Sequence, residues 1–211
     1  MEFLPSLQQI AAFLAASMLI TLAPGPDNLL VVSLGVARGR KPGVAFGLGC
    51  AAGCINHTLL AALGVSALIL ASPTAFLVLK LLGGLYLVWL GSKAILRARA
   101  AVSIAAEVPA ENNSQLFLKG LVANAINPKV ILFFLAFLPQ FVDATTTQPD
   151  RQVALLGLLF TVQAAIIFGA MGWFAGSIGE RLARYPMWSV RLQWLTGIIF
   201  LAIGLRLMLG R

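Results

Sequence analysis

Three long stretches of the chain, 3–26, 42–79 and 152–179, contain no Asp, Glu, Lys or Arg. A helix needs about 20 predominantly apolar residues to cross about 30 Å of hydrocarbon, so each stretch can span a bilayer. Apolar runs elsewhere bring the prediction to six segments, at 7–34, 44–70, 74–96, 116–141, 153–178 and 192–209. Only Ala71, Ser72 and Pro73 separate the second from the third, a minimal turn that forces an antiparallel pair. The stretch 97–115 is polar and Ala-rich and contains Pro109 and Asn112-Asn113. It predicts a linker between two halves of three helices, 1–96 and 116–211, within one transmembrane domain.

The halves share a pattern. Leu82, Gly84, Gly91 and Lys93 of the third segment fall, at a constant offset, on Leu195, Gly197, Gly204 and Arg206 of the sixth. Two Leu- and Gly-rich helices also match in this way by chance. A true repeat with an odd number of helices per half must be inverted across the membrane, and inverted repeats are characteristic of secondary transporters. The predicted fold is an all-α membrane protein: six transmembrane helices as two inverted three-helix repeats, with interrupted first and fourth helices.

The interruptions are the runs Leu22-Ala23-Pro24-Gly25-Pro26-Asp27-Asn28 and Ala123-Asn124-Ala125-Ile126-Asn127-Pro128-Lys129. Proline removes a backbone donor and clashes with the preceding turn, so a continuous helix is not expected at either. Each run also holds a restart signal, Gly25 or Asn127 followed by proline at the first helical position. Irregular backbone at membrane depth is tolerated only where protein buries it or it lines a wet cavity. The N-terminus of a half-helix suits a carboxylate, and the carbonyls that end the preceding half suit an ammonium. Paired broken helices therefore point to a transporter's binding site.

Composition agrees. The 211 residues are 60% apolar and only 10% charged, too little charge for a soluble surface. The excess of 15 basic over 7 acidic residues reads as basic loops held in the cytoplasm rather than as a nucleic-acid surface. Arg38, Arg40 and Lys41 lie in the first connection, Lys93, Arg97, Arg99 and Lys119 in or beside the third, and Arg181, Arg184 and Arg191 in or beside the fifth. The second connection has no basic residue and the fourth only Arg151, so both termini are predicted outside. Arg206 and Arg211 oppose this orientation. The only charge before the first apolar run is Glu2, so the N-terminus does not read as a secretory signal.

Charges inside a bilayer are costly, so Asp27 and Lys129 are candidates for function. They either pair with each other or hold the two ends of a zwitterion, Asp27 the ammonium and Lys129 the carboxylate. The candidate substrate or proton site comprises Pro24, Gly25, Pro26, Asp27, Asn28, Asn124, Asn127, Pro128 and Lys129, joined by Asn56 and His57 of the second segment and Gln163 of the fifth. His57 either satisfies a neighbouring carbonyl or titrates and couples export to proton entry. Cys50, Cys54 and His57 share one helical face and could bind a soft metal. The alternative is close packing beside Gly49 and Gly53, and the absence of any accompanying acidic or Cys/His-rich segment favours it. No cofactor and no metal are expected.

Ala23-Pro24-Gly25-Pro26-Asp27-Asn28, the segment from Gly47 to Gly53 leading into Asn56-His57, and Asn127-Pro128-Lys129 followed by Phe133-Phe134 and Leu138-Pro139-Gln140-Phe141 together resemble the lysine exporter / homoserine–threonine exporter (LysE/RhtB) family. Gly84-Leu85-Tyr86-Leu87 and Leu90-Gly91 also look like that family. The resemblance spans essentially the whole chain. It implies a multi-pass exporter of amino acids in a bacterial inner membrane, driven by the proton motive force, with the two breaks as its transport site. Its substrates would include neutral amino acids such as threonine or homoserine, with basic ones less suited to a single Asp27. A homo-oligomer is compatible with this picture. The rival classes are a divalent-cation exporter, which wants several intramembrane carboxylates or imidazoles, and a thiol-redox membrane enzyme, which wants apposed thiols from both halves.

Overall fold

The computed structural model describes residues 4–65, 72–96, 98, 111–143, 146–184 and 186–209. Most of the expected linker, and residues 66–71 with the first residue of the predicted turn, lie outside them. The helices are α1 Leu7–Leu22, α2 Pro26–Arg38, α3 Arg40–Leu60, α4 Pro73–Leu96, α5 Asn113–Ala125, α6 Pro128–Leu132, α7 Pro149–Trp173, α8 Ala175–Arg184 and α9 Pro186–Leu209. A π-helical turn, Ala61–Val65, continues α3; a π turn, Phe133–Phe137, and a 3-10 turn, Leu138–Phe141, continue α6. No strand occurs among the described residues.

Four helices are long and apolar enough to span: Arg40–Gly64, Thr74–Leu96, Pro149–Trp173 and Val190–Leu209. The other two spans are broken. α1 and α2 meet at 58° across Ala23-Pro24-Gly25, and α5 meets α6 and its extension at 50° across Ile126-Asn127. Both bends lie where proline interrupts the run, with Pro26 and Pro128 opening the second half of each span.

Several boundaries differ from expectation. α5 starts at Asn113, within the predicted linker, because the Asn112 side chain accepts from Gln115 N–H while the Gln115 side chain returns to the Asn112 N–H. α9 starts at Pro186, ahead of the predicted 192. The fifth span stops at Trp173 instead of running to 178. There Ala175 and Gly179 turn onto Gly35 and Val36 of α2, while Arg181 and Arg184 stay exposed. A helix carrying two cations belongs at the membrane surface rather than within it.

An apolar core encloses a set of buried polar groups, and the outward faces are apolar as well. Asp27, Asn124, Asn127, Lys129, Gln152 and Gln163 are buried, whereas Leu59, Leu118, Ile166 and Ile198 lie more than half exposed. Those outward apolar faces meet lipid tails, where no hydrophobic force drives helices together. Close backbone approach supplies the packing instead. A Cβ on Gly49 would collide with the Phe117 carbonyl, and one on Gly120 with the Phe46 carbonyl, so these two glycines bring α3 against α5. Along α4 and α9, Gly84 meets Gly204 and Gly91 meets Gly197: each added Cβ would stand 2.7 to 2.9 Å from the partner glycine's oxygen. The offset that matches Gly84 with Gly197 and Gly91 with Gly204 exchanges these two contacts, as a two-fold axis in the membrane plane does. The contacts of Gly43 with Gly172 and of Thr58 with Gly157 close the two ends of the α3–α7 pair.

Gly49→Val is expected to overpack the α3–α5 seam at a cost of about 1–3 kcal/mol. That corresponds to a melting temperature lower by about 2–10 °C in detergent. Gly169→Ala, where an added Cβ meets nothing within 4 Å, should be neutral or stabilising. Thermal unfolding followed by size-exclusion chromatography checks both, and equal stability of the two variants would contradict the packing described.

Candidate functional site

The two breaks converge. Gly25 is extended, with φ −158° and ψ 179°, and precedes α2 without a side-chain cap. A Cβ there would stand 3.0 Å from the Lys129 Nζ, so a larger residue would push the ammonium out of its place. At the second break the Asn127 Oδ1 accepts from the Lys129 backbone N–H at 3.0 Å, which starts α6 and fixes the lysine's position.

Each break is then bonded to the other. Lys129, from the second half, donates its ammonium to the Ala23 carbonyl at 3.0 Å and to Asn28 Oδ1 at 3.3 Å. Asn28 in turn donates to the Thr21 carbonyl at 2.7 Å across its own break. The ammonium thus sits at the carbonyl end of α1, where the helix dipole favours a cation. Asp27, from the first half, accepts at 2.8 Å from Asn124 Nδ2 near the end of α5, and lies in the first turn of α2, where the dipole favours an anion. Asp27 and Lys129 are 1% and 6% exposed. Within 4.0 Å, Lys119 forms an ion pair with Glu111, but Lys129 forms none with Asp27. Asp27 and Lys129 are therefore held separately, not as the mutual pair that was one expectation from the sequence.

Both charges line one small space. Its polar side is Thr21, Asp27, Asn124 and Lys129, and its apolar side is Ile20, Cys54, Val130, Phe133, Phe160 and Phe168. The volume is about 10 Å³, room for roughly one water molecule. A larger guest enters only when the walls part. Two buried polar atoms near the breaks, Asn127 Nδ2 and Gln163 Oε1, make no hydrogen bond in the structure.

The other candidates divide. Gln163 donates to Thr21 Oγ1 at 2.8 Å and so supports the polar wall from behind. Pro24, Pro26 and Pro128 shape the backbone of the breaks. His57 is buried with Nε2 3.1 Å from the Asn124 carbonyl and its ring 5.6 Å from that of Phe134; it braces Asn124 and does not line the space. Asn56 is exposed and is not brought to the site, because adjacent residues on a helix point about 100° apart and the buried face belongs to His57. Cys50 and Cys54 are buried free thiols, and Cys54 Sγ stands 3.5 Å from Asn124 Oδ1. Sequence reasoning missed Thr21 and the aromatic wall. Thr21 carried a weak signal, a hydroxyl four residues after Ser17 in an otherwise apolar run. Phe133 entered only within the Phe133-Phe134 pair of the family resemblance, with no role given to it, and Phe160 and Phe168 carried no signal among 13 phenylalanines.

Comparison with known proteins follows the same lines. A family model described as LysE type translocator matches residues 18–211. A leucine efflux protein of Klebsiella pneumoniae subsp. pneumoniae is 33% identical over 202 residues, 92% of each chain. A leucine efflux protein of Enterobacter sp. is 31% identical over 198 residues, again 92% of each chain. An uncharacterized membrane protein of Vibrio cholerae serotype O1 is 31% identical over 196 residues, 93% of this chain and 94% of the relative. No solved structure matches significantly. With six apolar spans, two of them broken around a shared pair of buried charges, and a family match over nearly its whole length, the chain belongs to the LysE type translocators and is a transporter, not an enzyme.

Proposed function

We propose that this transporter exports neutral amino acids with apolar side chains, leucine foremost, across a bacterial inner membrane in exchange for protons. The observation that carries this reading is the separation of Asp27 and Lys129 on the walls of one space. Each is satisfied by neutral groups of the other half, so each remains available to one end of a zwitterion. Asp27 takes the ammonium and Lys129 the carboxylate.

The side chain is then left to the apolar wall of Ile20, Val130, Phe133, Phe160 and Phe168. Threonine and homoserine, the substrates first expected, are less well served. Thr21 is the only hydroxyl lining the space among the described residues, and it already accepts from Gln163 and donates to the Ser17 carbonyl. Leucine efflux relatives from two organisms support the aliphatic choice. Basic amino acids and divalent cations are disfavoured because the space offers one carboxylate beside one ammonium.

Transport requires the walls to separate, and the two breaks supply the joints. The halves 1–96 and 116–211 act as inverted repeats that rock about them, opening to one side and then the other. Asp27, held by one amide, exchanges substrate for a proton between these states. The cytoplasmic side is the end bearing Arg38, Arg40, Lys41 and Lys119. The Arg38 guanidinium bonds the Glu111 carbonyl at 2.6 Å, Arg40 lies 5.0 Å over Trp173, and Lys119 bonds Glu111. Both termini then lie outside.

In cells fed leucine-containing or threonine-containing dipeptides, expression of the protein should raise external leucine several-fold and external threonine little; the reverse ranking, measured by chromatography of the medium, overturns the substrate assignment. Asp27→Asn should cut leucine export at least tenfold with unchanged membrane abundance by immunoblot, and export above half of wild type removes Asp27 from the mechanism. His57→Gln should lower the rate yet keep the wild-type pH profile, since His57 acts by bracing Asn124. A flattened profile would transfer the proton role to His57.

A further inference from the structure

A second cavity, of about 430 Å³, lies at the terminal ends of the bundle, between the start of α1, the close of the α6 extension and the end of α9. This volume falls in the range of about 300–1,000 Å³ typical of small-molecule sites. Gln8, Gln9, Gln140 and Arg206 give it a polar rim with one cation, while Phe137 and Phe141 form part of its floor. A cation with several amides is chemistry for a carboxylate. Nothing in the central site uses it.

Three rings separate this cavity from the central space. The Phe141 ring meets Phe13 edge-on at 5.4 Å, Phe13 stands 6.0 Å from Phe133, and Phe133 lines the central space. The plug is buried, with Phe13 and Phe133 fully inaccessible. Its backbone is irregular at the same place. The π turn Phe133–Phe137 carries the Leu138 N–H back to the Phe133 carbonyl, and Pro139 opens the tighter turn that follows. Pro139 cannot donate, so a regular helix cannot re-form across the junction. Wide turns of this kind recur at functional sites.

We propose that this cavity is an outer substrate site: the leaving amino acid passes the Phe13–Phe133–Phe141 plug and rests its carboxylate on Arg206 before release. The inference builds on the export reading and extends it to a second binding position. An aromatic plug is suited to the step because its rings pack against an apolar side chain and close the way to water and ions at rest; they must part for the zwitterion, whose charged ends are desolvated on the way through. Arg206 lies on the exposed side, so its hold on a carboxylate is weak enough to permit release.

The test places a thiol on the rim by Gln140→Cys. The native Cys50 and Cys54 are fully buried and give no background. A charged, membrane-impermeant methanethiosulfonate added outside intact cells is expected to label the introduced thiol rapidly. External leucine should slow that labelling, and leucinamide, which lacks the carboxylate, should not. Adding Arg206→Gln should weaken the protection at least fivefold, while Arg206→Lys retains most of it. Protection should persist when Asp27→Asn disables the central site, which shows that the outer position binds on its own. Labelling only from the cytoplasmic side overturns the assignment of this cavity as the exit. Labelling from outside with no protection by leucine, or protection indifferent to Arg206→Gln, overturns the outer site while leaving the central one standing if Asp27→Asn still blocks export.

Discussion

Two buried charges of opposite sign, each satisfied by the half of the chain it does not belong to, constrain the rest of this structure. An ionised side chain at the centre of a bilayer costs about 2.5–3.5 kcal/mol even on lenient scales, so neither Asp27 nor Lys129 is tolerable alone. Lys129 is satisfied by the carbonyl end of α1 and by Asn28, and Asp27 by Asn124 at the end of α5. These bonds exist only because both helices are broken. A continuous first span would have no free carbonyl at Ala23 to offer, and a continuous fourth span would hold Lys129 and Asn124 in a different relation. The breaks, the charges and the convergence of the halves are one arrangement.

That arrangement has to be enclosed without help from the hydrophobic effect, since lipid is as apolar as the helix faces. Glycines do this by letting backbones meet: Gly49 and Gly120 close α3 on α5, and the Gly84–Gly204 and Gly91–Gly197 contacts close α4 on α9. Such seams suit a transporter. Flat surfaces of small residues bear few interlocking side chains.

The aromatic residues give the site its direction. Phe133, Phe134 and Phe160 pack mutually with centroids 5.0 to 6.0 Å apart, and Phe133 and Phe160 face the polar wall across the central space. Charged and polar groups thus stand on one side of the space and rings and aliphatic groups on the other. Phe13 and Phe141 extend the same cluster toward the terminal end, so one apolar column joins the central space to the wider cavity rimmed by Arg206.

Residue order alone was enough for the membrane class, the number of spans, the two breaks and the charged residue after each proline. These are consequences of local chemistry: hydrocarbon demands long apolar runs, and proline cannot continue a helix wherever it lies. The Gly84, Gly91, Gly197 and Gly204 register was legible too, as a spacing. Which groups meet was left to the packing of the whole chain. Asn56 and His57 are neighbours in sequence, yet one is exposed and the other braces Asn124, and a single helical step separates those fates. One of the two readings of Asp27 and Lys129 made them partners, but the bends of 58° and 50° aim each at neutral groups of the other half. The aromatic wall was invisible because one phenylalanine in an apolar helix reads like any other until contacts between distant segments fix which face turns inward.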